Sequence, residues 1–101
     1  MTKNEFDLLV NRDKLTIVKF FGEWCGPCKV LGETLCEIIS ENEDISLIEL
    51  DVDEGENDEL LSTFNVRAIP LILFFKNGEM LKKSTGLMTK EEINNIIKEY
   101  S

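Results

Sequence analysis

Apolar and polar positions along this chain alternate between two periods. In TKNEFDLLVNR, Phe6, Leu9 and Val10 recur at helical spacing, and Thr2 stands three residues before Glu5, as in a capping box. LTIVKFF, residues 15–21, is a short β-branched and aromatic run that predicts a strand buried on both faces. Leu31, Leu35, Ile38 and Ile39 then repeat at i, i+4, i+7 and i+8, the stripe of a helix beginning near Cys25 and Cys28. ISLIELDV predicts a second strand, DEGENDELLSTFN a polar segment with a short helix at 59–64, and PLILFFK a third strand. Asn77-Gly78 is a hairpin signal that returns the chain as EMLKKSTG, and TKEEINNIIKEY predicts a last helix opening at Thr89, with Glu92 three residues on. An αβαβαββα order implies an α/β fold, a mixed sheet with helices on both faces.

With 101 residues and no repeat or linker, one domain over 1–101 is expected. No apolar run is long enough to cross a bilayer, and the first residues lack the apolar core and cleavage site of a secretory signal. A soluble, monomeric, cytoplasmic protein with no membrane partner is therefore the expectation, and in that compartment a persistent structural disulfide is disfavoured. Twenty acidic against eleven basic residues give a net charge of −9, which repels phosphate backbones and argues against nucleic-acid binding. The chain has no histidine, which removes Cys-His and Ser-His catalytic pairs together with the commonest metal ligand. Chemistry must rest on thiols and carboxylates.

All three cysteines lie in EWCGPCKVLGETLCEI, as Cys25, Cys28 and Cys36. A redox pair, metal ligands and a structural disulfide compete for Cys25 and Cys28. Structural zinc needs four nitrogen or sulfur donors. Cys36 is eight residues beyond Cys28 on one helix, about 12 Å away at 1.5 Å per residue, so no metal site is expected. A calcium loop counted from Asp51 fails because Glu56 and Ser62 stand where glycine and glutamate are needed, which leaves that acidic stretch as a solvated face. The pair sits where a buried strand turns into a helix. Free N–H groups and the dipole at that helix start favour the thiolate of Cys25, while Cys28, one turn in, is near enough to close a disulfide and less open to solvent. Pro27 suits the first helical turn, and Gly26 leaves the backbone beside Cys25 open to an incoming chain.

WCGPCK after a strand, VRAIP some forty residues later, then FFKNG and Gly86, make the chain resemble the thioredoxin family over nearly its whole length. The resemblance implies the thioredoxin fold and a protein-disulfide reductase. Cys25 would attack a protein disulfide and Cys28 would resolve the mixed disulfide, with the redox-active Cys25–Cys28 couple and no other cofactor. Ile69 and Pro70 match the family's cis-proline segment, and Trp24, Gly26, Pro27, Ile69, Pro70 and Gly86 would form a shallow apolar docking surface. The electron donor implied is a thioredoxin reductase, linked to NADPH or to ferredoxin. The alternative is a thioredoxin-like interaction module whose cysteines have little redox role.

Several positions depart from the family pattern. The segment before LTIVKFF is short, so the family's first edge strand is expected to be missing and the sheet to have four strands. Gly32 and Glu33 stand where the family commonly has a kinking proline, and Leu71 follows Pro70 where threonine is usual. Lys19 occupies the place of a buried aspartate, while Glu49 in ELDVD occupies that of its lysine partner, so the charge pair is reversed. If the two share a pocket, Glu49 would accept the Cys28 proton. Cys36, on the polar side of the helical stripe, is expected to be a bystander.

Overall fold

The computed structural model describes residues 1–100. The chain runs α1 (Lys3–Val10), β1 (Thr16–Phe21), α2 (Gly26–Glu41), β2 (Ser46–Asp51), α3 (Asp58–Thr63), β3 (Leu71–Lys76), β4 (Glu79–Thr85) and α4 (Lys90–Tyr100), with a 3₁₀ turn at Gly55–Asn57 before α3. The four strands form one sheet in the order β2-β1-β3-β4. β1 is parallel to β2 and antiparallel to β3, and β4 closes the hairpin on β3. This is the expected mixed sheet, and no strand lies outside β2 among the described residues.

The two central strands are continuous apolar runs because each needs a core on both faces. Val18 and Phe20 of β1 pack with Leu71, Leu73 and Phe75 of β3 against Phe6, Val10 and Leu60 of α1 and α3. Ile17, Ile72 and Phe74 point the other way, against Leu31, Leu35 and Ile38 of α2 and Ile93 and Ile97 of α4. By the same two-residue alternation Lys19 falls on the α2 side of the sheet. Of the predicted stripe Ile39 is only half-buried, and Leu31, Leu35 and Ile38 thus form the face that anchors α2. Truncating one of its fully buried leucines to alanine would cost about 2–5 kcal/mol.

Local chemistry fixes the element ends. The Glu5 N–H donates to Thr2 Oγ1 at 3.1 Å while the Thr2 N–H donates to Glu5 Oε1 at 3.2 Å, and Thr89 and Glu92 repeat the exchange at 3.0 and 3.1 Å. These bonds hold both glutamates below the ordinary carboxylate range. At the hairpin, Asn77 and Gly78 take φ of 56° and 77°, the left-handed pair that a tight two-residue turn requires. Their N–H groups donate to the carbonyls of Arg12 and Val10 at 2.7 and 3.0 Å, which ties the turn to the end of α1.

Two details differ from the sequence reading. The acidic stretch before α3 is mostly solvated, but Asn57 is buried because its amide donates to the Asp51 carbonyl at 3.0 Å and its oxygen accepts from the Met1 ammonium at 2.8 Å. The third helix also starts one residue earlier than expected, continuing from the 3₁₀ turn. α2 runs unbroken through Gly32 and Glu33, and Lys90 clamps α4 to it through Glu37 at 2.7 Å and Glu41 at 3.0 Å.

Candidate active site

The end of β1 delivers the chain to the first turn of α2, and both cysteines are held there. Cys25 is the residue that caps α2: its Sγ accepts the Cys28 N–H at 3.2 Å, so the sulfur sits against the positive end of the helix. Cys25 and Cys28 are joined as a disulfide, with their Cα atoms 5.3 Å apart. The inequality between them is present but small in this oxidised state, 6% exposure for Cys25 against 1% for Cys28, because each sulfur covers the other. A thiolate formed at Cys25 would keep the Cys28 N–H as a donor and the helix dipole as a field, two effects that favour the ionised sulfur.

Apolar residues surround this sulfur. Trp24 is 70% exposed, and its indole N–H donates to Asp53 Oδ2 at 2.7 Å, which orients the ring at the edge of the site. The ring lies against Gly22, where an added Cβ would come within 2.9 Å of Trp24 Cε2 and Nε1 and 3.1 Å of Ile69 Cδ1. Trp24, Val52, Leu61, Val66, Arg67, Ala68 and Ile69 line one groove of about 390 Å³. The Ile69–Pro70 peptide is cis, and the Pro70 carbonyl accepts from the Gly86 N–H at 2.8 Å, with Gly86 at φ 96°. Gly26 and Pro27 are exposed beside the cysteines, and no atom lies within 4 Å of where a Cβ on Gly26 would stand. Gly22 and Asp53 were not evident as site residues in the sequence, since a glycine ending a strand and an aspartate in an acidic run carry no signal until the indole is seen to rest on both.

Lys19 and Glu49 are register partners on β1 and β2, and their side chains meet at 2.6 Å. They are unequally buried. The Lys19 side chain is 5% exposed and the Glu49 side chain 44%, so the lysine fills the interior position and the glutamate caps it from the rim. Lys19 Nζ also lies 4.9 Å from the centre of the Phe21 ring. Lys19 and Cys28 line the same cavity, of about 420 Å³, which Glu49 does not line; Glu49 lines two other clefts, one of which shares Phe21 and Glu23 with that cavity. Cys36 is a free thiol on the exposed face of α2, away from this cavity. Among the described residues no group of three or more acidic or thiol side chains is arranged to hold a metal.

Comparison with known proteins gives one answer. The family model described as thioredoxin matches residues 1–99. The thioredoxin of Mycoplasmoides gallisepticum is 35% identical over 96 residues, covering 95% of this chain and 94% of that one, and the thioredoxin of Rickettsia typhi is 39% identical over 92 residues, covering 90% and 83%. Among solved structures, Fasciola hepatica thioredoxin superposes with a TM-score of 0.85 at 25% identity, over 97% of this chain and 93% of that one. A chain from a study of thiol resolution in yeast mitochondrial 1-Cys peroxiredoxin by the glutathione and thioredoxin systems superposes with a TM-score of 0.85 at 26% identity, over 97% and 90%.

Proposed function

Since the chain belongs to the thioredoxin family and is a thiol–disulfide oxidoreductase, we propose that it works in the reducing direction, passing electrons from a reductase to the disulfides of other proteins. The observation that carries this reading is the position of Cys25 Sγ, which caps α2 and accepts the Cys28 N–H, with Cys28 bonded behind it. Cys25, as thiolate, attacks one sulfur of a target disulfide; the other target sulfur leaves as a thiolate and takes up a proton. Cys28 then attacks Cys25 Sγ, the Cys25–target bond breaks, and the second target sulfur departs with the bonding pair. The target is left as two thiols and the enzyme as the Cys25–Cys28 disulfide, which a thioredoxin reductase linked to NADPH or ferredoxin returns to the dithiol.

The groove between Trp24 and Ile69, with Gly26, Pro27, Pro70 and Gly86 around the sulfur, supports docking of an extended apolar segment of the target. A single exposed thiol at Cys36 suits a reducing compartment such as the cytoplasm, where it would stay free. Two assays test the reading. Purified reductase with NADPH, or a ferredoxin-linked donor, should drive insulin reduction and turbidity through this protein. Cys28→Ser should accumulate a covalent adduct on Cys25 visible by mass spectrometry. An interaction module would leave insulin intact, and an adduct on Cys36 would refute the assignment of Cys25.

A further inference from the structure

The geometry points to Lys19 as the positioning charge for the resolving step: its buried ammonium stabilises the Cys28 thiolate, so that Cys28 ionises to solvent without a carboxylate base. The inference rests on the assignment of Cys28 as the resolving thiol. β1 sends Lys19 toward α2, where the ammonium meets the first turns of the helix. A Cβ at Gly32 would stand 3.1 Å from Nζ, so the absence of a side chain there is what admits the lysine tip. Gly32 is one turn beyond Cys28, and both wall the cavity that Lys19 enters. The ammonium is held by Glu49 at 2.6 Å and by the face of Phe21 at 4.9 Å.

The other charges around this cavity are Glu23, from the loop after β1, and Lys29 of α2; both are exposed and opposite in sign. β3 presents apolar Ile72 opposite Lys19. Glu49, from β2, is not among the residues lining this cavity and is bonded to Lys19. The charge facing Cys28 is therefore positive, the reverse of what proton abstraction by Glu49 requires. In the resolving step the Cys28 proton leaves to water through the open cavity, the thiolate attacks Cys25 Sγ, and the target sulfur departs with the electron pair of the broken bond. An opposite charge within a few ångströms lowers a thiol's pKa by about one unit or more, which raises the thiolate fraction about tenfold below that pKa.

Substitution of Lys19 and of Glu49 separates this from the relay by sign. In a Cys25→Ser, Cys36→Ser background Cys28 is the only thiol, and its ¹³Cβ shift followed against pH gives a single-site titration. Lys19→Met should raise the Cys28 midpoint by about one unit, and Glu49→Gln, which unmasks the ammonium, should lower it. In the full enzyme Glu49→Gln should keep or quicken resolution of the mixed disulfide at pH 6, while Lys19→Met slows it severalfold. An unchanged midpoint in Lys19→Met, or a raised midpoint and slowed resolution in Glu49→Gln, overturns the inference. Should Lys19→Met fail to fold, the resolution rate of Glu49→Gln decides alone, because a relay needs that carboxylate and this inference does not. The titration needs no turnover, so its failure is distinct from a failure of Cys28→Ser to trap a target, which would overturn the reductase reading itself.

Discussion

Adding one methyl group at Gly22 should weaken target docking without touching either sulfur. Gly22 is buried at the end of β1, and its backbone is compatible with any residue; the obstacle is space. A Cβ there would sit 2.9 Å from two atoms of the Trp24 ring, whereas heavy atoms of this kind rest at about 3.5–4.0 Å. Ile69 can turn its methyl aside, but the indole is rigid and must retreat by about 0.6–1.1 Å. Its bond to Asp53, now 2.7 Å, then stretches past about 3.2 Å, where N–H···O bonds fade. Both partners are exposed, so the loss is discounted to about 0.5–1 kcal/mol, or about two- to fivefold. Gly22→Ala should raise KM for a protein disulfide by that factor and leave kcat, and the reduction of a small aromatic disulfide that needs no groove, nearly unchanged. Trp24 is the only tryptophan, so its fluorescence reports the displacement directly. An unshifted emission with unchanged KM would refute the packing argument. An equal loss on both substrates would show that the damage reaches Cys25, whose N–H donates to the Gly22 carbonyl at 3.1 Å.

Two further outcomes are expected. Cys36→Ser should leave insulin reduction unchanged and abolish any disulfide-linked dimer formed under mild oxidation; a large loss of turnover in dilute reduced enzyme would remove Cys36 from the bystander role. Glu5 and Glu92 have carboxyls held below their ordinary value of 4.5 by the capping hydrogen bonds of Thr2 and Thr89, so each contributes stability that is present above pH 4.5 and is lost as pH falls through the lowered folded value. Denaturant titrations at pH 7 and pH 3 should therefore show a smaller acid loss for Glu5→Gln/Glu92→Gln than for the parent, and an identical loss would exclude this contribution.

The elements were legible because their signals are local. Thr2 with Glu5, Thr89 with Glu92, and Asn77-Gly78 each name an element boundary through chemistry within four residues, and the apolar runs of β1 and β3 state that both faces will be covered. The Cys25–Cys28 pair was equally plain, since a helix start behind a buried strand sets its geometry. Lys19 with Glu49 was legible as a pair but not as an unequal one: which partner lies inside depends on the room α2 leaves at Gly32, a contact between a strand residue and a helix residue that the periodicity of neither element encodes. Gly22 and Asp53 escaped for the same reason, their meaning arising only when a ring from a third residue lies across both. Asn57 was hidden inside a charge run, where composition speaks for solvation and only the fold supplies the Asp51 carbonyl and the Met1 ammonium that allow burial.

The double-sided burial of β1 and β3 has a consequence for the chain before it folds. TIVKFF and LILFFK are short, β-prone and without proline, the type of segment that stacks with copies of itself when exposed. In the native sheet neither is on an edge: β2 and β4 flank them, and β4 carries Glu79, Lys82 and Lys83 on its exposed positions. In the unfolded chain that shelter is absent, and what separates the molecules is charge: Lys19 interrupts one run, Lys76 ends the other, and a net −9 spreads repulsion along the whole polymer. The lysine that the folded protein holds under its active-site helix thus also breaks the stickiest stretch of the nascent chain, so replacing it with an apolar residue alters self-association during synthesis as well as chemistry afterwards.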